Sequence, residues 1–599
     1  MNEKRLRGMA WLAALTISLS LLAIAAFLLD FRYAGNDDTA ILRSFMGYET
    51  GIPAHFNLFI HGLLAWPLHW LALAFPQVAW FSVLQIALLV FACTLIGKSI
   101  IQCFLKHGHS FWLGTLFALL FLVCFGLPNM VHITFTVTAA VLGAAAVLQI
   151  FSIRFEHASD GEIVRGMLLA LLPVVLAYAL RQVTLLPILA FCGLSVAMVS
   201  VFYFGFGKHK KRPLKPMLTS VLLIVLALGG LMGARQLEIK GNHAEPFLAW
   251  QDANAGIMDY YTLNGIPNEE LEKVGWSENT RNLAAGWFFL EPQISSEAFQ
   301  QLDAYQRQQF AAPLQVECQR AWHTIKNLKK SDVITMRSLS LVFFVLIFCA
   351  ISLLFRRGQR LSLLSALLLA CALFGVMVFY LAFEGRLPLR AFLMPFLPFA
   401  AMLMAFLPHC LPLRFAQLQS VWQAKAAANS TARAPRTFAL LFCVFTLLCC
   451  AQTAYYLRGI LPSLSKKPEL ALELGSPTAD LDEYALANPD VLFIFDGSLA
   501  IDTRLFPDVS AGIPHNVTFW GGWPMRSADS IEQFAKFGID LLNFPADTFL
   551  REDVCLASGV LDPPPTLIMN YIAENISADV DYSIYDEYGN IHFFQFYVQ

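Results

Sequence analysis

Charge is what this chain has least of. Asp, Glu, Lys and Arg make up 14% of its 599 residues, where a soluble domain carries about 25%. That shortage excludes an ordinary soluble fold. With 57% hydrophobic residues and a mean hydropathy of +0.58, the chain is expected to be an α-helical polytopic membrane protein. The formal net charge of −2 leaves no basic field, so no nucleic-acid partner is expected. Zinc-type Cys spacing is absent. Most of the 12 Cys, such as Cys93, Cys124, Cys192, Cys349, Cys371 and Cys443, lie in apolar runs and count as small buried hydrophobes. Cys318 and Cys555 fall in polar segments, where a disulfide is conceivable. There is no P-loop, no GxGxxG after a strand, no HExxH and no GxSxG. Charges in mid-span are rare, which argues against a proton pump or an ion-coupled transporter.

Long apolar runs are abundant. About eleven have the length of a membrane span: 9–29, 79–101, 110–127, 131–152, 164–181, 184–205, 217–236, 336–355, 361–383, 389–409 and 437–456. The first follows Lys4, Arg5 and Arg7 and ends without a small-x-small cleavage site. It is expected to be an uncleaved span with its N-terminus in the cytoplasm. The stretch 57–75 is decided by charge parity. With eleven spans, the links rich in Lys and Arg (98–109, 154–165, 208–215, 356–360 and 414–436) all fall on the cytoplasmic side. A twelfth span at 57–75 would move the links that follow it outside. That stretch is therefore expected to be an outer juxtamembrane helix, interrupted at Trp66-Pro67 and given an interfacial character by His61, His69, Trp66 and Trp70.

Four regions result. Residues 1–236 form an N-terminal membrane module with a first outer loop at 30–78. Residues 237–335 form a large extracytoplasmic helical loop, with helix at 269–273 and from Ser296 to Trp322. Residues 336–456 hold the remaining spans, and 457–599 form a small extracytoplasmic α/β domain. In that domain Val491-Leu492-Phe493-Ile494-Phe495 predicts a buried strand ended by Asp496-Gly497. Ser530 to Phe537 predicts a helix with Ser530 and Gln533 at capping-box spacing and Gly538 past its end. Ile584 to Phe594 predicts a hairpin about Tyr588-Gly589-Asn590.

Among residues that carry chemistry, Asp37 and Asp38 come first. Two adjacent carboxylates at a membrane mouth can supply a general base or hold a divalent metal that bridges a phosphate. They are equally good material for starting a helix over 39–48, and the residues alone leave both readings open. Arg181, Arg386 and Arg390 stand at outer ends of spans, suited either to binding phosphate or to snorkelling. Asp259 and Tyr260, with Tyr261, combine a carboxylate and rings suited to a sugar, or to loop packing. Asn129, His132, Thr134, Thr136 and Thr138 form a polar run at the outer start of the fourth span, either partly an extended loop lining a cavity or Thr residues back-bonding inside a helix. Trp520-Gly521-Gly522-Trp523-Pro524 predicts a rigid aromatic turn.

The layout resembles the GT-C superfamily of membrane glycosyltransferases, and within it a group of uncharacterised bacterial proteins. The resemblance runs through Asn36-Asp37-Asp38, through Gly51-Ile52-Pro53-Ala54-His55-Phe56-Asn57, and through the helix at 57–75 followed by Trp80-Phe81. It continues through Ile257-Met258-Asp259-Tyr260-Tyr261 and Phe519-Trp520-Gly521-Gly522-Trp523. The His-Pro-Pro turn of better-known members is replaced by Pro53-Ala54-His55. The resemblance implies transfer of a sugar from a polyprenyl-phosphate donor in the membrane lipid to an extracytoplasmic glycan, lipid or protein acceptor of the cell envelope. It also implies that Asp38 or Asp37 is catalytic base or metal ligand (Mg or Mn), with His55, Arg181, Asp259, Tyr260, Arg386 and Arg390 as substrate-binding residues. A flippase for a lipid-linked sugar and a non-catalytic membrane assembly protein are the alternatives.

Overall fold

The computed structural model describes residues 3–153, 159–200, 214–259, 263–310, 312–331, 333–354, 360–385, 387–411, 433–465, 477–499, 501–562 and 564–599. The basic residues expected at Arg154, Lys208 to Arg212, Arg356 and Arg357, and most of the 410–436 linker, lie outside them. The chain forms two compact units. One holds residues 1–32, 84–233 and 317–466, and the other 33–83, 234–316 and 467–599.

The first unit is helical. Among the described residues, nine helices are long and apolar enough to cross a membrane by length and composition, and they coincide with nine of the expected spans. The remaining two expected spans appear as shorter apolar helices, Phe111–Phe125 and Leu339–Leu353. The protein is thus a multi-pass helical membrane protein. Among the described candidate spans the most buried is Phe135–Ser152, with 94% of the span enclosed. The cause is a run of small residues, Ala139, Ala140, Gly143, Ala144, Ala145 and Ala146, which lets neighbouring backbones approach. A Cβ on Gly143 would come within 2.5 Å of Ile188 Cγ1. The Lys98 ammonium is buried here and donates to Gln149 Oε1 at 2.7 Å. The polar run divides between its two expected forms. His132–Ile133 is extended, the helix begins at Phe135, and Thr138 Oγ1 bonds back to the Thr134 carbonyl at 2.9 Å.

The second unit is built on a five-stranded sheet: β1 Leu492–Phe495, β2 Val517–Phe519, β3 Val554–Ser558, β4 Val580–Tyr588 and β5 Ile591–Val598, in the order β2-β1-β3-β5-β4. β1 runs parallel to β2 and β3. β5 is antiparallel to β3 and to β4, which it joins through a turn at Gly589 with φ +61°. The predicted strand and hairpin are therefore present. Alternation along β1 assigns its side chains to two faces. Leu492 and Ile494 join the core formed with Trp250, Trp276, Phe289 and Phe299 of the 234–316 segment. Phe493 and Phe495 join a second core with Leu481 and Ala485 of the helix Pro477–Ala487. A strand covered on both faces must be apolar at every position, which explains the uninterrupted Leu-Phe-Ile-Phe.

Several local expectations are corrected. The helix in the tail is Ala528–Lys536, and its N-cap is Ser527, whose Oγ accepts from Ser530 N at 3.2 Å. Ser530 and Gln533 form no capping box. Gln533 Nε2 instead donates to the carbonyls of His515 and Val517, both at 3.1 Å, and so ties the helix to β2. The juxtamembrane helix is Gly62–Ala74 and runs unbroken through Pro67. Residues 57–61 stay out of it because Asn57 Oδ1 accepts from Phe59 N and Ile60 N in a local turn. The expected helix 296–322 is two helices, Ser296–Phe310 and Leu314–Ser331, divided at Pro313. Cys318 and Cys555 are free thiols, Cys555 being buried within β3.

Candidate functional site

The first loop begins with Gly35 at the N-cap of the helix Asn36–Met46, so Asp37 and Asp38 both lie in its first turn, where the helix dipole favours carboxylates. Side chains one residue apart point about 100° apart around a helix. Accordingly Asp37 is half-buried, whereas Asp38 is buried. Asp38 lies near Tyr33, whose phenol is pushed well above its ordinary range, chiefly by burial and also by the Asp38 charge. Ser82 Oγ donates to the Leu505 carbonyl at 2.5 Å, so the 2.7 Å contact with Tyr33 Oη has the phenol as donor.

The helix ends at Gly47 in the left-handed region with φ +82°, where a Cβ would meet the Ile52 backbone at 3.0 Å. The chain turns back there, and Ala54 N reaches the Ser44 carbonyl at 3.0 Å. Arg235 and Glu238, in the last turns of the helix Leu214–Gly241, then fix the loop. The Arg235 guanidinium is buried and donates to the carbonyls of Asn57 (2.9 Å) and Leu58 (2.8 Å) and to Glu238 Oε2 (3.1 Å), over the Phe56 ring. Glu238 accepts from Gly62 N at 3.1 Å on both oxygens. A Cβ on Gly62 would stand 2.3 Å from Glu238 Oε1, so glycine is required for that approach. His69 Nδ1 bonds the Pro53 carbonyl at 2.6 Å, and His55 Nε2 bonds Asn242 Oδ1 at 2.9 Å.

These restraints shape a cavity of about 440 Å³ within the second unit, a size usual for small-molecule sites. Its polar wall includes Glu49, His55, Asn57, Asn242 and Asp529, and its apolar wall includes Phe56, Phe247, Trp250 and Trp523. The Glu49 carboxyl is pushed up to about 7, first by burial and then by the charge of Asp529. Asp529 is also raised, by burial and by Glu532, against the influence of His55. Near neutral pH Glu49 can therefore either give or take a proton, as general acid–base chemistry requires. Arg526 stacks on the Trp250 ring at 5.2 Å and donates to the Glu291 carbonyl at 3.1 Å. Burial lowers it to about 10, with Glu291 opposing.

Of the runs singled out from the sequence, the cavity takes in His55, Phe56 and Asn57 of the first loop and Trp523 and Pro524 of the tail. Asp37 and Asp38 are in the same unit but outside its lining. Asp259 is the C-cap of the helix Glu245–Met258. Arg181 caps the helix Asp160–Leu180 in the membrane unit and lies 5.1 Å over the Phe135 ring, and Arg390 is exposed in the first turn of Leu389–Cys410. Tyr260, Tyr261 and Arg386 lie outside the described residues. Glu49, Asp529 and Arg526 carry no sequence signal as a set, because they come together only when residues about 480 positions apart fold into one unit. Among the described residues no group of three or more His, Cys, Asp or Glu could hold a metal ion.

No family model matches the chain, and no curated protein sequence matches it. Among solved structures it is similar to the crystal structure of the Archaeoglobus fulgidus oligosaccharyltransferase in the apo form, with 12% sequence identity and a TM-score of 0.37 over 97% of this chain and 70% of that one.

Proposed function

We propose that the protein is an integral-membrane glycosyltransferase of the GT-C type. It moves a sugar from a polyprenyl-phosphate donor to an extracytoplasmic acceptor of the cell envelope. The observation that carries the reading is the gathering of three polar segments of a multi-pass chain into one compact unit. That unit's first loop presents the Asp37-Asp38 turn and the interfacial helix Gly62–Ala74, with Trp66 and Trp70 largely exposed. Asp38, or Asp37 beside it, takes the proton of the acceptor hydroxyl as that oxygen attacks the anomeric carbon and the polyprenyl phosphate leaves with the bonding electrons. A divalent ion held by the same carboxylates would supply charge neutralisation at the leaving phosphate. Guanidinium groups suit recognition of that phosphate.

The test replaces Asp37 and Asp38 singly with Asn and follows envelope glycosylation in cells in which membrane insertion is verified. Asp38→Asn is expected to lower transfer by about 100-fold or more, the range for loss of a general base. Full transfer in both variants would overturn the assignment.

A further inference from the structure

The cavity in the second unit has features that packing alone does not require. Three non-glycine residues described have positive φ: His243 at 49°, Trp287 at 63° and Arg526 at 67°. Two of them, His243 and Arg526, line this one cavity. Backbone strain of this kind persists where surrounding structure holds it, commonly at ligand sites. Trp523 Nε1 and Arg526 Nε, also on lining residues, are buried without a hydrogen-bond partner among the described residues. A carboxylate pair, Glu49 and Asp529, faces the same space as the two amides Asn57 and Asn242. The Trp523 ring is steadied edge-on by Phe59 at 4.9 Å.

This donor and acceptor set selects among ligand chemistries. An anion such as phosphate would meet two carboxylates, while the Arg526 guanidinium is already directed to the Phe289 and Glu291 carbonyls. A purely hydrocarbon ligand would strip water from the carboxylates and amides without replacing it. A sugar ring satisfies both walls. Its C–H face packs on an aromatic ring, and its hydroxyls donate to carboxylates and accept from amide N–H groups. We propose that this cavity is a saccharide-binding site, with Trp523 as the stacking platform and Glu49, Asp529 and Asn57 as the hydroxyl-binding groups. Only the use of the saccharide as glycosyl acceptor rests on the transferase reading.

The test is saturation-transfer NMR on the purified full-length protein in detergent, without donor. The probes are the methyl α-glycosides of glucose, mannose and galactose, and N-acetylglucosamine, with inorganic phosphate as competitor. At least one sugar is expected to bind saturably, about tenfold or more weaker in Glu49→Gln and Trp523→Ala and nearly as in the parent in Trp523→Phe. On the unmodified protein the same sugar is expected to slow carbethoxylation of the exposed His55, read by peptide mass spectrometry. That measurement needs no variant to fold. Three results would each overturn the proposal: no binding by any of the four sugars, displacement of the sugar by phosphate, or unchanged His55 labelling at saturation. Because no donor is present, sugar binding together with undiminished transfer in both aspartate variants would refute the catalytic assignment while leaving this site standing.

Discussion

Arg43 and Asp482 are 439 positions apart in sequence and form a two-pronged ion pair, Nη1 to Oδ2 at 2.7 Å and Nη2 to Oδ1 at 3.0 Å. The guanidinium also lies 3.8 Å over the Tyr48 ring. It therefore pins the first-loop helix to the tail domain within one unit. Both side chains are largely buried, at 19% and 17% exposure, so removing one leaves the other uncompensated.

Arg43→Ala is expected to destabilise this unit by about 2–4 kcal/mol. Arg43→Lys should recover only part of that, because an ammonium cannot reproduce the fork or the stacking. Denaturant melts followed by tryptophan emission would measure both, and parental melting in Arg43→Ala would show that the pair holds nothing together.

Gly521 gives a steric prediction. A Cβ there would lie 1.7 Å from the Trp287 carbonyl oxygen, which belongs to backbone held by Phe289 N bonding the Trp520 carbonyl at 2.9 Å. Neither side can yield without breaking the seam between the 234–316 segment and the sheet. Gly521→Ala is expected to cost about 3 kcal/mol, the upper end for overpacking. Scanning calorimetry should show this loss of stability, and protease sensitivity should rise near Trp287. A substitution that melts like the parent would contradict the contact.

Glu49 makes stability depend on pH in an unusual direction for a carboxylate. Its folded value near 7, against an ordinary 4.5, means that the folded protein binds more protons than the unfolded chain between those limits. Stability should therefore fall as pH rises from about 4.5 to about 7 and level off above, by about 1–2 kcal/mol after allowance for partial exposure. Glu49→Gln should remove most of that fall and exceed the parent in stability at pH 8. Asp529, raised in the same direction, leaves a residual slope. Identical pH–stability curves for parent and variant would refute the shift.

Much of the architecture was legible in the chain because membrane spans and buried strands are written in local composition. The eleven apolar runs, the Leu492–Phe495 strand and the hairpin at Gly589 needed only periodicity and turn chemistry. Two expectations failed where a distant group acted on a local pattern, whereas the division of 296–322 at Pro313 has a local cause. Gln533 has the spacing of a capping partner, yet it is drawn to the carbonyls of His515 and Val517. Residues 57–61 continue an apolar run, but beside the local Asn57 turn Arg235, nearly 180 positions away, takes the carbonyls of Asn57 and Leu58.

The candidate site divides in the same way. The sequence by itself determined a multi-pass helical protein with acidic residues in its first loop and a separate sheet-forming tail, because hydropathy and alternation act over a few residues. Only the tertiary structure decided that Glu49 meets Asp529 beside His55 and Trp523, that Asp38 is buried near Tyr33, and that Arg526 sits in a strained backbone over Trp250. Those pairings depend on which distant segments share one core, and that is set by the summed packing of the 234–316 segment and the tail on one face of the sheet.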